Sequence, residues 1–151
     1  MMHTPLTVSP WTPAAAAGSG PAHTWIRSWP DDCACLRADV TAAGWQWHSV
    51  DHIDRDAELL AAVFDLFAQR KRRQVRRNTV GQPHVLLAIG PEVPWHLREL
   101  ILIAVWGRAV DIHLAVSAAH RDIAGHHPWY PLRFSDEIGG WYHGHSPAAG
   151  K

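Results

Sequence analysis

Between residues 59 and 67 the apolar positions recur with the spacing of a helix. Leu59, Leu60, Val63, Phe64 and Phe67 fall at i, i+1, i+4, i+5 and i+8, which makes one stripe on a helical surface. Asp54 or Asp56 can cap the start, and Glu58 suits the first turn. The run QRKRRQVRRN then places cations where the helix dipole favours them, and Asn78, Gly81 and Pro83 stop the pattern. The predicted helix covers 54–75. HVLLAIG, residues 84–90, is a continuous apolar run of strand length and predicts a central strand. The stretch VPWHLRELILIAVWGRAVDIHLAV, residues 93–116, predicts a second helix opened by Pro94 and closed at Gly107. Its run from Leu100 to Trp106 is apolar all round. DIHLAV, residues 111–116, alternates Ile112, Leu114 and Val116 against Asp111, His113 and Ala115, as a strand does. Strand, helix and strand predict a parallel crossover.

Upstream, CACLRADVTA alternates with Leu36, Ala38 and Val40 on one side. Ala43-Gly44 reads as a turn, and WQWHSV is rich in strand formers, so residues 33–50 predict a hairpin. The order becomes β-β-α-β-α-β. That is an α/β (α+β) two-layer sandwich with a mixed sheet, two helices on one face, and irregular arms at both ends. The division is a Pro/Ala-rich arm at 1–30, a sandwich at 31–117, and a His/Trp-rich extension at 118–151.

Composition narrows the function classes. Of the 151 residues 47% are hydrophobic and 19% charged, which fits a folded domain. Lys+Arg and Asp+Glu are 14 each, so no net charge draws the chain to nucleic acid or to a membrane surface. No stretch reaches the ~18–20 apolar residues that span a bilayer. The N-terminal alanine run lacks a charged leader, so no cleaved signal is expected and the compartment read from that alone is cytoplasmic.

Four kinds of chemistry are carried by residue type. Cys33 and Cys35, one residue apart, together with His143 and His145, form a candidate set for zinc or copper. His48, His52, His113, His120, His126 and His127 are further ligand types, yet no standard zinc spacing appears. Arg70, Lys71, Arg72, Arg73, Arg76 and Arg77 form a basic patch, either for phosphates or as a solvated helix end. No nucleophile motif or phosphate loop is present, and the Asp51-His52 pair has no nucleophile beside it, which weighs against an enzyme. Of the nine tryptophans, Trp11, Trp25, Trp29, Trp129 and Trp141 lie outside the predicted sandwich, and Trp95 and Trp106 flank or end its apolar helix. Tryptophan favours interfaces, so these seven are candidate partner-binding residues. The rival expectation is that the flanks cover their own sheet.

The segments His84–Ile89, Val93-Pro94-Trp95, Leu97–Trp106 and Val110–Val116, with Asp56–Leu60 before them, resemble the periplasmic domain of the ExbD/TolR family of transport-energising proteins. The resemblance covers about residues 33–117. It implies the sandwich fold, a tendency to dimerise, a protein or cell-wall partner, and a periplasmic location. The family's transmembrane helix and its acidic residue have no counterpart here, and Ile89-Gly90 stands where its strand often ends in Ala-Asp, so proton-driven work does not carry over. The expectation for function is a non-catalytic subunit or adaptor of a larger assembly, with other protein subunits or a second copy of the chain as partner. A metal-binding protein is the alternative and nucleic-acid binding the third.

Overall fold

The computed structural model describes residues 9–29, 31–75, 82–94, 97–120 and 138–142. They form an α/β fold around a six-stranded sheet in which every paired strand is parallel. The elements in chain order are β1 (Ser9–Pro10), α1 (Pro13–Ala17), β2 (Thr24–Ile26), α2 (Asp31–Ala42), β3 (Gln46–Val50), α3 (Ile53–Val75), β4 (Val85–Ile89), α4 (Arg98–Trp106), a 3₁₀ turn (Gly107–Val110), β5 (Ile112–Ser117) and β6 (Gly140–Trp141). Across the sheet the order is β1-β6-β2-β5-β4-β3.

Two helices share one face, as expected, but the sheet is covered on both. α3 and α4 pack Leu60, Val63, Phe67, Leu100 and Ile103 against Val85, Leu87, Ile89, Ile112, Leu114 and Val116. The alternate residues Leu86, Ala88 and Ala115 face the other way and meet Leu36 and Val40 of α2 and Ala16 of α1. Two-sided burial explains why β4 and β5 are buried at every position. The two-layer sandwich with a mixed sheet is therefore corrected to a three-layer, all-parallel arrangement.

The expected hairpin at 33–50 is a helix followed by a strand. Leu36 and Val40 are four apart, a spacing that fits one face of a strand and one face of a helix equally. Asp31 and Asp32 occupy the first helical turn, where the dipole favours them. The Ala43-Gly44 step caps the helix: Gly44 has φ of 84°, Gly44 N–H donates to Thr41 O at 3.0 Å, and Trp45 N–H to Val40 O at 2.9 Å. These are the paired bonds of a Schellman cap. β3 then pairs with β4 rather than with a preceding strand.

Residues 1–30 are likewise not simply an arm. β2 lies inside the sheet, pairing Trp25 with Val116 on one side and Trp141 on the other. Residues 140–141, expected in an irregular extension, supply β6. Trp11 and Trp25 are 1% and 2% exposed, so these two expected partner-binding residues are core residues of this chain. Burying an indole gains more than presenting it to solvent, at about 25 cal/mol per Å².

Candidate functional site

In a parallel sheet wound on both faces, ligands meet the carboxyl ends of the strands where the chain reverses its direction of winding. Here α2 leaves β2 on one face, whereas α3 and α4 return through β4 to β5 on the other. The reversal falls between β2 and β5. Arg27, Ser28 and Trp29 follow β2, Gly90 follows β4, and Ala118 to His120 follow β5.

The protein's own groups fill this crevice. The Trp29 ring lies against Gly90 so closely that a Cβ on Gly90 would sit 3.1 Å from Trp29 Cζ2. His120 is 3% exposed, and its Nε2 donates to Gly90 O at 2.9 Å. The backbone N–H groups at the start of a helix attract phosphate, but Asp32 Oδ2 already accepts the Ser28 N–H at 3.0 Å. A phosphate approaching α2 would meet the carboxylates of Asp31 and Asp32. No glycine lies in the Arg27–Asp31 loop to let a phosphate approach the backbone.

Beside the filled crevice, α2 and β3 leave an open cavity of about 400 Å³ lined by Trp29, Cys33, Arg37, Trp47, Ser49 and Asp51. β3 is the outer strand of the sheet, so Trp47 and Ser49 point to the α2 side with no strand beyond them. Asp51 holds Ser49 Oγ at 3.4 Å and Arg55 at 3.5 Å, both long contacts. Among the described residues no carboxylate pairs with Arg37. Burial first, and the Asp51 carboxylate second, push the Cys33 thiol up to about 12, against the opposing pull of Arg37. Cys33 is thus held as a neutral thiol at neutral pH.

That state bears on metal binding, because a cysteine ligates as thiolate. Cys33 and Cys35 lie two apart on a helix rather than on a strand, so their side chains diverge by about 160°. Neither forms a disulfide, and among the described residues no group of three His, Cys, Asp or Glu side chains is placed to hold a metal ion. His143 and His145 lie outside the described residues.

The basic patch is divided. Arg70 is 3% exposed and donates to Val110 O at 3.0 Å, bracing α3 on the 3₁₀ turn. Lys71 bonds Gln74 and sits 4.9 Å from the centre of the Trp106 ring. Arg72 and Arg73 face solvent, while Arg76 and Arg77 lie outside the described residues. Trp29 and Trp141 are partly buried, Trp106 is 51% exposed, and Trp95 and Trp129 lie outside the described residues.

The inner histidines sit at the opposite, amino edge of the sheet. His113 Nδ1 donates to Ala22 O at 2.8 Å, so its Nε2 is an acceptor and takes a hydrogen bond from His84 Nδ1 at 2.9 Å. His23 Nε2 donates to Ala104 O, and its Nδ1 accepts Leu114 N–H, both at 2.9 Å. Trp45 stacks on His84 and His113. These rings are structural: every nitrogen named is committed to a neighbour.

Sequence reasoning missed Arg37, Trp47, Ser49 and Asp51 as a group. Only Trp47's alternation with Ser49 hinted at a shared face, and reading 33–42 as a strand hid the wall that α2 provides. Comparison with known protein families, curated proteins and solved structures finds no match.

Proposed function

We infer that the domain is a non-catalytic subunit or adaptor, and that it docks a partner protein on the outer side of α4. The observation that carries this is Trp106. It is the exposed large hydrophobic residue among those described, at 51% of its full exposure. Ile101, Leu102 and Val105 lie partly exposed beside it. Leaving half of an indole in water forgoes roughly 3 kcal/mol, taking about 250 Å² for a whole Trp side chain. An apolar strip on a surface helix, with Lys71 over the ring, has the composition of an interface centre with a polar rim. The filled crevice at the carboxyl edge supports the non-catalytic part, since the place where this architecture holds phosphates is occupied by Asp32, Trp29 and His120.

The test is native mass spectrometry of protein isolated gently from its source, wild type beside Val105→Glu/Trp106→Glu. The expected result is a co-purifying subunit at fixed stoichiometry, or a homodimer, that the double variant loses while its melting temperature is retained. A bare monomer in both samples overturns the reading.

A further inference from the structure

We propose that the open edge of β3 pairs with the same edge of a second copy of this chain, antiparallel and in register about His48. β3 ends the sheet, and among the described residues no strand lies beyond it. In its ladder with β4, Gln46 N–H donates to His84 O and Gly90 N–H donates to Val50 O, both at 2.9 Å. Gln46, His48 and Val50 thus turn their main-chain groups toward β4, and Trp47 and Ser49 turn theirs outward. An exposed row of such groups is a template for another strand, and edges are usually blunted by a charge, a proline or a bulge. The segment QWHSV has no Asp, Glu, Lys, Arg or Pro, and its five residues pair with β4 without a bulge. Burial lowers the pKa of His48 from 6.5, so this edge is uncharged at neutral pH. Gln46 is exposed and Trp47, His48 and Ser49 are partly exposed, which leaves the edge open to approach.

The edge is complementary to itself under a two-fold axis through His48. That axis sets Trp47 opposite the second copy's Ser49, and each such pair exchanges two main-chain hydrogen bonds. Opposite residues share a face of the sheet, so the second copy's Trp47 arrives on the α2 side beside Ser49. There it meets the open cavity of about 400 Å³ that Ser49 helps to line, which is larger than an indole. The charges also match. Trp45 N–H donates to Val40 O, which fixes the end of α2 beside the start of β3. Three helical residues back, Arg37 stands about 4.5 Å up the strand, below His48, whereas Asp51 lies above it. The axis carries the second copy's Arg37 to within about two residues of Asp51 along the strand and keeps it about three from Arg37 itself, so unlike charges are the nearer ones. Asp51 has capacity for it, since its contacts to Ser49 and Arg55 are long. The contact is separate from docking at α4, which packs over β5, two strands in from this edge.

The test is sedimentation velocity of the full chain over a range of concentrations. The expected result is a reversible dimer, formed equally by Val105→Glu/Trp106→Glu. Ser49→Pro removes an outward N–H and leaves the ladder with β4 intact, so it should raise the dissociation constant at least tenfold. Trp47→Lys, which puts a charge on the edge, is the second variant should Ser49→Pro fail to fold. Register is read by oxidative cross-linking in a Cys33→Ser/Cys35→Ser background. The thiol of His48→Cys faces its own copy across the axis, with Cα atoms about 4.5 Å apart, inside the range of a disulfide, and should cross-link. Gln46→Cys is displaced from its own copy by four residues, about 13 Å, and should not. A monomer at every concentration, a dimer that the folded edge variants leave unchanged, or equal cross-linking by His48→Cys and Gln46→Cys overturns the proposal. A dimer that Val105→Glu/Trp106→Glu abolishes belongs to α4 and overturns it as well.

Discussion

Nδ1 of His84 donates to Nε2 of His113 across 2.9 Å, and the bond is possible only while His113 is neutral. Burial, the largest cause, lowers the pKa of His113 from 6.5 to about 4. Burial likewise lowers His23 from 6.5 to about 3, with the charge of His113 acting in the same direction. The unfolded chain takes up these protons near pH 6.5 and the folded chain does not. Their contribution to stability is therefore complete above about pH 6.5 and is lost as pH falls toward 4 and 3. At pH 4.5 the loss is roughly 2.5 kcal/mol for each residue, at about 1.36 kcal/mol per pH unit. Urea unfolding at pH 7.5, 6.0, 5.0 and 4.5 checks this, and a flat profile would contradict it.

Trp25 and Trp11 are both core residues. Trp25→Ala should cost about 3–5 kcal/mol, as large-to-small changes in a packed core do. Trp11 is equally buried, but among the described residues its Nε1 has no hydrogen-bond partner. Trp11→Phe removes an unsatisfied donor together with some volume, so it should change stability by no more than about 1 kcal/mol. Denaturant midpoints for the two variants give the comparison directly.

Gly107 closes α4 against the start of β5. A Cβ there would lie 2.3 Å from Ile112 O, and a backbone carbonyl inside the sheet cannot step aside. Gly107→Ala should destabilise by about 1–3 kcal/mol or more. Among the described residues nothing lies within 4 Å of the Gly139 Cβ position, so Gly139→Ala is the matched control with little effect. Equal melting temperatures for the two variants would show that the close approach is not real.

A thiol held at about 12 carries far less thiolate at pH 8 than a free cysteine. In a Cys35→Ser background, Cys33 should react with iodoacetamide at least tenfold more slowly in the folded protein than in urea. The measurement is the labelling rate by intact mass, and equal rates in the two conditions would contradict the assignment.

Tyr142 Oη donates to Asp39 Oδ2 at 2.5 Å, tying the end of β6 to α2. Tyr142→Phe removes this hydrogen bond to a charged group and should cost about 1–3 kcal/mol. Hydrogen exchange should then rise first at the β6 end, and an unchanged exchange pattern would count against the tie.

Some of this protein is written in local patterns. The helical stripe Leu59 to Phe67 lies on α3, the apolar run at 84–90 contains β4, and the alternation at 111–116 falls on β5. Period and composition decide such elements, because a long stripe or a fully apolar strand has few ways to hide from water. Residues 31–42 were not decidable that way: Leu36 and Val40 satisfy both periods. What chose the helix was a tertiary demand, a second sheet face made by Leu86, Ala88 and Ala115 that had to be covered. The same demand drew Trp11 and Trp25 inward, although indoles in a Pro/Ala-rich segment carry no mark of inside or outside. Strand order, and with it the gathering of Trp29, Cys33, Arg37, Trp47, Ser49 and Asp51 around one cavity, came from packing between segments distant in the chain. A sequence records what each segment needs to bury; only the assembled sheet decides which segment buries it.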